Sequence, residues 1–122
     1  MKDKDTTLFE LQNQVEQFRE ERGWNPLPRN LAISIAIEAA ELLEHFQWDG
    51  YEEYMDKAQD KKNEIANELA DVLIYCLQFA AKTDIDISHA IERKLMLNAK
   101  KYPARLFRDN IKASKNYWLV KT

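Results

Sequence analysis

Four carboxylates in two short motifs are the residues of this chain best placed to do chemistry. Glu38-Ala-Ala-Glu41 lies within the apolar run Leu31–Phe46, and Glu68-Leu-Ala-Asp71 lies within Ile65–Phe79. Neither run contains a Lys or Arg. On a helix, residues three apart share a face, with Cβ atoms about 5–6 Å apart. Each motif therefore aims two acids the same way. Carboxylates set in apolar surface are costly unless they are paired or bound to metal. Two such pairs facing each other would concentrate up to four negative charges, and oxygen-only ligation suits Mg²⁺ or Mn²⁺.

The elements that must position these acids read as helices. Leu8, Leu11, Val15 and Phe18 recur at three- and four-residue spacing and predict an apolar stripe on a first helix over 6–22, which Gly23 stops. Trp24-Asn-Pro-Leu-Pro28 follows as a rigid connector. A second helix is expected from Pro28 or Arg29 to Phe46. It is apolar on almost every side, which implies burial from several directions. Asp49-Gly50 marks a turn, and a short helix is expected over 51–55. A third long helix is expected over 58–82, charged in its first half and apolar in its second. Asp86 or Ser88 can cap a fourth helix that runs to Lys101, with Ile91, Leu95 and Tyr102 on its inner side. Pro103 ends it. The segment 104–122 has no clear pattern and is expected to be ordered by contacts in an oligomer. The reading is an all-α, four-helix bundle forming one domain over 1–122. A chain of 122 residues has little surplus with which to cover two helices that are apolar all round, so a homo-oligomer is expected.

Composition agrees. Two Gly and three Pro argue against an all-β fold, which needs many turns. No apolar run approaches the ~18 residues of a membrane span, and Met1–Thr7 does not read as a signal peptide. The single cysteine, Cys76, excludes an internal disulfide and fits a reducing, cytoplasmic setting. The net charge of −3 is unevenly spread: residues 93–122 hold nine of the 18 Lys and Arg and one of the 21 Asp and Glu. Beside a cluster of acids, a basic segment is what a metal–triphosphate site needs. It is also what a nucleic-acid-binding tail looks like.

Other constellations carry less. Asp86-Ile-Ser-His89 approaches the Glu-x-x-His pattern of di-iron bundles, but its place at a helix start favours capping. His45 is a candidate ligand of the same weight. The only glycines are Gly23 and Gly50, so there is no Gly-rich phosphate loop. Trp24 and Trp48 flank the second helix and could plug a core or stack on a base. Lys94, Asn98 and Lys101 share one face of the fourth helix.

Taken in order, Phe18-Arg-Glu-Glu-Arg-Gly-Trp24, Pro28-Arg-Asn-Leu31, Glu38-Ala-Ala-Glu-Leu42, Phe46-Gln-Trp48, Glu68-Leu-Ala-Asp-Val-Leu-Ile-Tyr75 and Asn98-Ala-Lys-Lys-Tyr-Pro103 resemble one family. It is the MazG-like nucleotide pyrophosphohydrolases of the all-α NTP pyrophosphatase superfamily, in particular their single-domain, dCTP pyrophosphatase-like type. The resemblance implies that Glu38, Glu41, Glu68 and Asp71 bind Mg²⁺, with Mn²⁺ as a substitute. It implies that Trp24 and Trp48 stack on the base, with Tyr75 near the nucleotide. Lys94, Asn98, Lys101 and Tyr102 match a phosphate- and sugar-side segment, and Ser114–Tyr117 loosely echoes a tail motif. Some dCTP-preferring relatives carry a histidine where this chain has Val15. Met96 and Ala99 depart from the acid and Arg often found there.

The implied reaction is Mg²⁺-dependent hydrolysis of a nucleoside triphosphate, such as dCTP, to monophosphate and pyrophosphate, by a cytoplasmic homotetramer with a house-cleaning role. Glu41, with Glu38, is expected to handle the attacking water. The residues alone leave two rivals open. One is a non-catalytic helical module that binds through its basic C-terminal segment. The other is a phosphoribosyl-ATP pyrophosphohydrolase-like enzyme, against which the two flanking tryptophans argue.

Overall fold

The computed structural model describes residues 1–48, 50 and 54–113. Every regular element among them is helical: a 3₁₀ turn over Lys2–Lys4, then α1 (Leu8–Glu21), α2 (Pro28–Glu44), α3 (Tyr54–Asp60), α4 (Lys62–Thr83), α5 (Ile87–Lys101) and α6 (Ala104–Ala113). None of these helices is long and apolar enough to cross a membrane. The chain divides into two compact units, Met1–Ile85 and Asp86–Thr122.

In the first unit α4 is the central helix. It packs most extensively on α2 and also contacts α1 and α3. The helix ends follow local chemistry. Thr7 accepts a hydrogen bond from the Glu10 N–H at 3.1 Å and so caps α1. At the other end Gly23 adopts φ +65. There the Gly23 N–H reaches the Glu20 carbonyl at 3.0 Å and the Trp24 N–H reaches Arg19 at 3.2 Å. This is the paired bonding of a Schellman motif, and it needs a left-handed residue. Pro28 opens α2 at a position where its missing N–H costs nothing. Asp84, at φ 55, ends α4.

The inward faces of α2 and α4 follow the helical repeat closely. On α2, Leu31 is buried, and Ser34, Ile35, Glu38, Glu41, Leu42 and His45 are half-buried. On α4, Ile65, Glu68, Val72, Tyr75, Cys76 and Phe79 are half-buried, and Leu77, Gln78 and Ala80 are buried. Three of the four motif acids thus lie on the packed faces. Outward from them, Ile33, Ile37 and Leu43 on α2 and Leu69 and Leu73 on α4 are exposed. The all-round apolar character of α2 is therefore not consumed within one chain.

Three expectations differ from the structure. On α1, Leu8, Leu11 and Phe18 are exposed. Of the expected stripe Val15 is on the packed face, together with Gln12, Glu16 and Arg19. Gln12, Arg19 and one oxygen of Glu16 find partners there, while Glu16 Oε1 is buried without one. Gln12 Nε2 donates to the Leu77 carbonyl of α4 at 3.1 Å, and Arg19 pairs with Glu16 at 2.6 Å and donates to the Trp24 carbonyl. Second, the short helix is Tyr54–Asp60, later than 51–55, and α4 begins at Lys62 after a joint at Lys61. Residues 51–53 lie outside the described residues. Third, Ile91 and Leu95 on α5 are exposed, not inward.

In the second unit Asp86 caps α5 by accepting the His89 N–H at 2.9 Å, as the capping reading of that motif expects. Pro103 separates α5 from α6, a helix that the sequence pattern left undefined. Tyr102 packs edge-on against Phe107 with ring centroids 5.6 Å apart. The segment 114–122, with Ser114–Tyr117, lies outside the described residues.

Candidate functional site

Packing α2 on α4 brings Glu38, Glu41 and Glu68 together. One carboxylate oxygen from each lies within 4.8 Å of the others. Asp71 is exposed and stands outside this trio, although its charge is felt by two of its members. The Oε2 atoms of Glu38 and Glu68 are buried and have no hydrogen-bond partner. Burial pushes the Glu38 carboxyl above its ordinary value, followed by its hydrogen-bonding contact with Glu41 and the charges of Glu41, Asp71 and Glu68. Burial likewise raises Glu68, followed by the Glu41 contact and the charges of Glu41 and Asp71, with His45 opposing. Glu41 therefore bears on both of its neighbours, with one of its oxygens within 4.8 Å of each. Crowded, half-dehydrated carboxylates with orphaned oxygens are unfavourable in isolation. A divalent cation removes both penalties, and the all-oxygen set fits a hard one.

The acids separate two clefts. The first, of about 920 Å³, is walled by α1, the 23–26 connector, α2 and α4. Glu38 and Asp71 stand in its wall with Val15, Phe18, Trp24, Ile74 and Tyr75. Trp24 meets Phe18 edge to face at 6.1 Å between centroids, and Arg22 covers the Phe18 ring from 3.4 Å. The Schellman turn and the Arg19 bond to its carbonyl hold Trp24 at the rim. The lining mixes apolar and aromatic side chains with seven polar or charged ones, so it offers both a surface for a ring and groups to orient it, as a small-molecule site does. The second cleft, of about 380 Å³, is lined by Glu41, Glu44, His45, Lys57, Lys61 and Glu68.

The remaining expected site residues fall elsewhere. Trp48 lies in the turn after α2, is 87% exposed, and lines neither cleft. Lys94 and Lys101 are exposed on α5, and Asn98 and Tyr102 are half-buried. The Tyr102 N–H donates to the Asn98 carbonyl at 2.7 Å, and Lys101 Nζ lies 5.4 Å from the Tyr102 ring centroid. The sequence reading missed Asn30, Ser34 and Gln78, which line the first cleft, and Lys57 and Lys61, which line the second. A signal existed for the first group: Ser34 and Gln78 are polar residues one or two turns from an acid on the same apolar stripe.

Residues 33–116 match the MazG-like family, and the chain belongs to it. It is 34% identical over 108 residues to dCTP pyrophosphatase 1 of Homo sapiens, and 35% identical over 108 residues to that of Mus musculus. Each alignment covers 85% of this chain and 64% of the relative, so the match spans less than two thirds of the curated relatives' length. A pyrophosphatase from Archaeoglobus fulgidus is similar in structure, with a TM-score of 0.75 and 42% identity over 79% of this chain and 92% of that one.

Proposed function

We propose that this chain is a divalent-cation-dependent nucleoside triphosphate pyrophosphohydrolase. Its substrate is a (deoxy)nucleoside triphosphate such as dCTP, and its products are the monophosphate and pyrophosphate. The observation that carries this reading is the meeting of Glu38, Glu41 and Glu68 at the edge of an aromatic cleft lined by Trp24 and Tyr75. The names and structural likeness of the relatives support it.

Glu38, Glu41 and Glu68, with Asp71 beside them, are the residues that would hold Mg²⁺. When bound, the ion supplies charge neutralisation at the phosphate oxygens and a lowered pKa for water. Glu41, with an oxygen within 4.8 Å of both other acids, is the group assigned to take a proton from the attacking water. The water oxygen bonds to the α-phosphorus. The bond from that phosphorus to the bridging oxygen breaks, and its electron pair leaves with pyrophosphate. Trp24, Phe18 and Tyr75 hold the base by their ring faces, and Trp48 is a second candidate platform. Lys94, Asn98, Lys101 and Tyr102 are assigned to the phosphates and sugar.

The exposed apolar side chains of α2 and α4 support assembly, for which a homotetramer built from two dimers is our reading. The lone thiol of Cys76 supports a cytoplasmic setting, and we treat 1–122 as one functional domain. The test is a screen of canonical and modified dNTPs with Mg²⁺, reading pyrophosphate release, on the wild type and on Glu38→Gln and Asp71→Asn. Both variants are expected to lose turnover and keep the helical CD signal. Near-normal turnover in Glu38→Gln overturns the reading.

A further inference from the structure

The second cleft raises a separate question. Its walls are two charged stripes. On the last turns of α2, Glu41, Glu44 and His45 share one side; opposite them stand Lys57 of α3, Lys61 of the joint and Glu68 of α4. The Lys61 N–H bonds to the Lys57 carbonyl at 3.0 Å, and the Ile65 N–H bonds to the Lys61 carbonyl at 2.9 Å. These bonds tie the joint to both helices although the Lys61 backbone itself is non-helical, with φ −114 and ψ 30, and Lys57, Lys61 and Glu68 line the same cleft. Among the described residues Lys61 makes no salt bridge with Glu41, Glu44 or Glu68. Among the described residues no Lys or Arg lines the first cleft, and Lys57 and Lys61 are the lysines that line the second.

We propose that Lys57 and Lys61 form a pyrophosphate-binding subsite, holding the β- and γ-phosphates of the substrate and then the leaving pyrophosphate. The proposal rests on the pyrophosphohydrolase reading given above. Its geometry comes from the cluster itself: Glu38 faces the aromatic cleft and Glu41 and Glu68 face the lysine cleft, while their oxygens lie within 4.8 Å of one another. A nucleotide with its base between Trp24 and Tyr75 and its α-phosphate at the acids has its remaining phosphates directed past the cluster. A phosphate chain there is repelled by the carboxylates, and two ammonium groups beyond them offset that repulsion. Lysine binds phosphate as a mobile point charge and needs no rigid fork. As the bridging oxygen takes up negative charge, the same ammonium groups stabilise the departing pyrophosphate.

The experiment uses the full chain, with inorganic pyrophosphate and dCMP as probes titrated by calorimetry in the presence of Mg²⁺. The variants are Lys57→Gln/Lys61→Gln, the single Lys61→Gln, and Lys62→Gln as a control that removes the same charge beside the cleft. The double variant is expected to lose about tenfold or more in pyrophosphate affinity, as loss of charge-assisted bonds implies, and to bind dCMP as the wild type does. The single variant, which removes less charge, is expected to lose part of that affinity and serves if the double variant does not fold. Lys62→Gln is expected to bind both probes normally. Unchanged pyrophosphate affinity in the lysine variants overturns the subsite. A parallel fall in dCMP affinity overturns it too, since the damage is then general. A wild type that binds pyrophosphate through these lysines and hydrolyses no dNTP keeps the subsite and overturns the enzymatic reading instead.

Discussion

Glu38 on α2 and Glu68 on α4 bring carboxylate oxygens within 4.8 Å of each other, and each keeps a buried Oε2 without a hydrogen-bond partner. The two residues belong to different motifs and meet only because α2 and α4 pack face to face. Their proximity opposes folding when both are ionised, yet it is what a cation site requires. The proposed cation-binding role and the stability of the metal-free chain are therefore set against each other at this point.

Glu68→Gln is the direct test of that opposition. It keeps the side-chain volume and removes one of the crowded charges. The variant is expected to melt at a higher temperature than the wild type in EDTA and to lose most of the stabilisation that Mg²⁺ gives. Its turnover is expected to fall by at least about 100-fold, the upper end of what even outer-sphere changes cost. Thermal denaturation with and without Mg²⁺, alongside pyrophosphate release, separates the two effects.

The pH dependence of the metal-free protein has a definite sign. Glu38 and Glu68 have carboxyl groups raised above the ordinary 4.5. Between that value and their folded values, the folded state holds more protons than the unfolded state. Stability from these groups then falls as pH rises through the window and is recovered as pH drops back towards 4.5. A cation competes with the same protons, so the melting-temperature gain on adding Mg²⁺ is expected to grow with pH across the window. Melting curves at several pH values, with and without EDTA, check both slopes. Glu38→Gln is expected to flatten the slope in EDTA.

Trp24 lines the first cleft directly after the Gly23 turn, and its substitution tests the proposed stacking on a nucleobase. Trp24→Ala is expected to weaken nucleotide binding by about 1–3 kcal/mol, the loss typical of one stacked base. Binding is measured by calorimetry with a non-hydrolysable dNTP analogue. An unchanged affinity would mean that Trp24 only closes the end of the bundle against Phe18. The same measurement on Trp48→Ala reports whether a residue outside both clefts of a single chain reaches the base.

Leu73 faces outward on α4 and is 53% exposed. Leu73→Lys therefore disturbs little within one chain, and its effect belongs to contacts between chains. The variant is expected to keep its helical CD signal and to shift to a smaller species in light scattering. A wild type that is monomeric at micromolar concentration would overturn the assembly altogether.

Helix identity and the nearness of Glu38 to Glu41 were legible in the residues because both are local. A turn of about 3.6 residues puts i and i+3 on one face whatever surrounds them, and Gly23, Pro28 and Asp86 end or begin helices through their own backbone or side-chain chemistry. What local periodicity does not carry is the rotation and register of one helix against another. Those decided that Glu38, Glu41 and Glu68 meet while Asp71 stays outside the trio. They also decided that the packed face of α1 is Gln12, Val15, Glu16 and Arg19. Hydrophobic spacing pointed to Leu8, Leu11, Val15 and Phe18, of which only Val15 is on that face; Gln12 can share it because its side chain bonds to the Leu77 carbonyl of α4. Lys57 and Lys61 looked like an ordinary charged stretch ahead of α4. Only the placement of that stretch beside the end of α2 sets them next to the carboxylates, because a cleft is a property of two packed surfaces and has no one-dimensional signature.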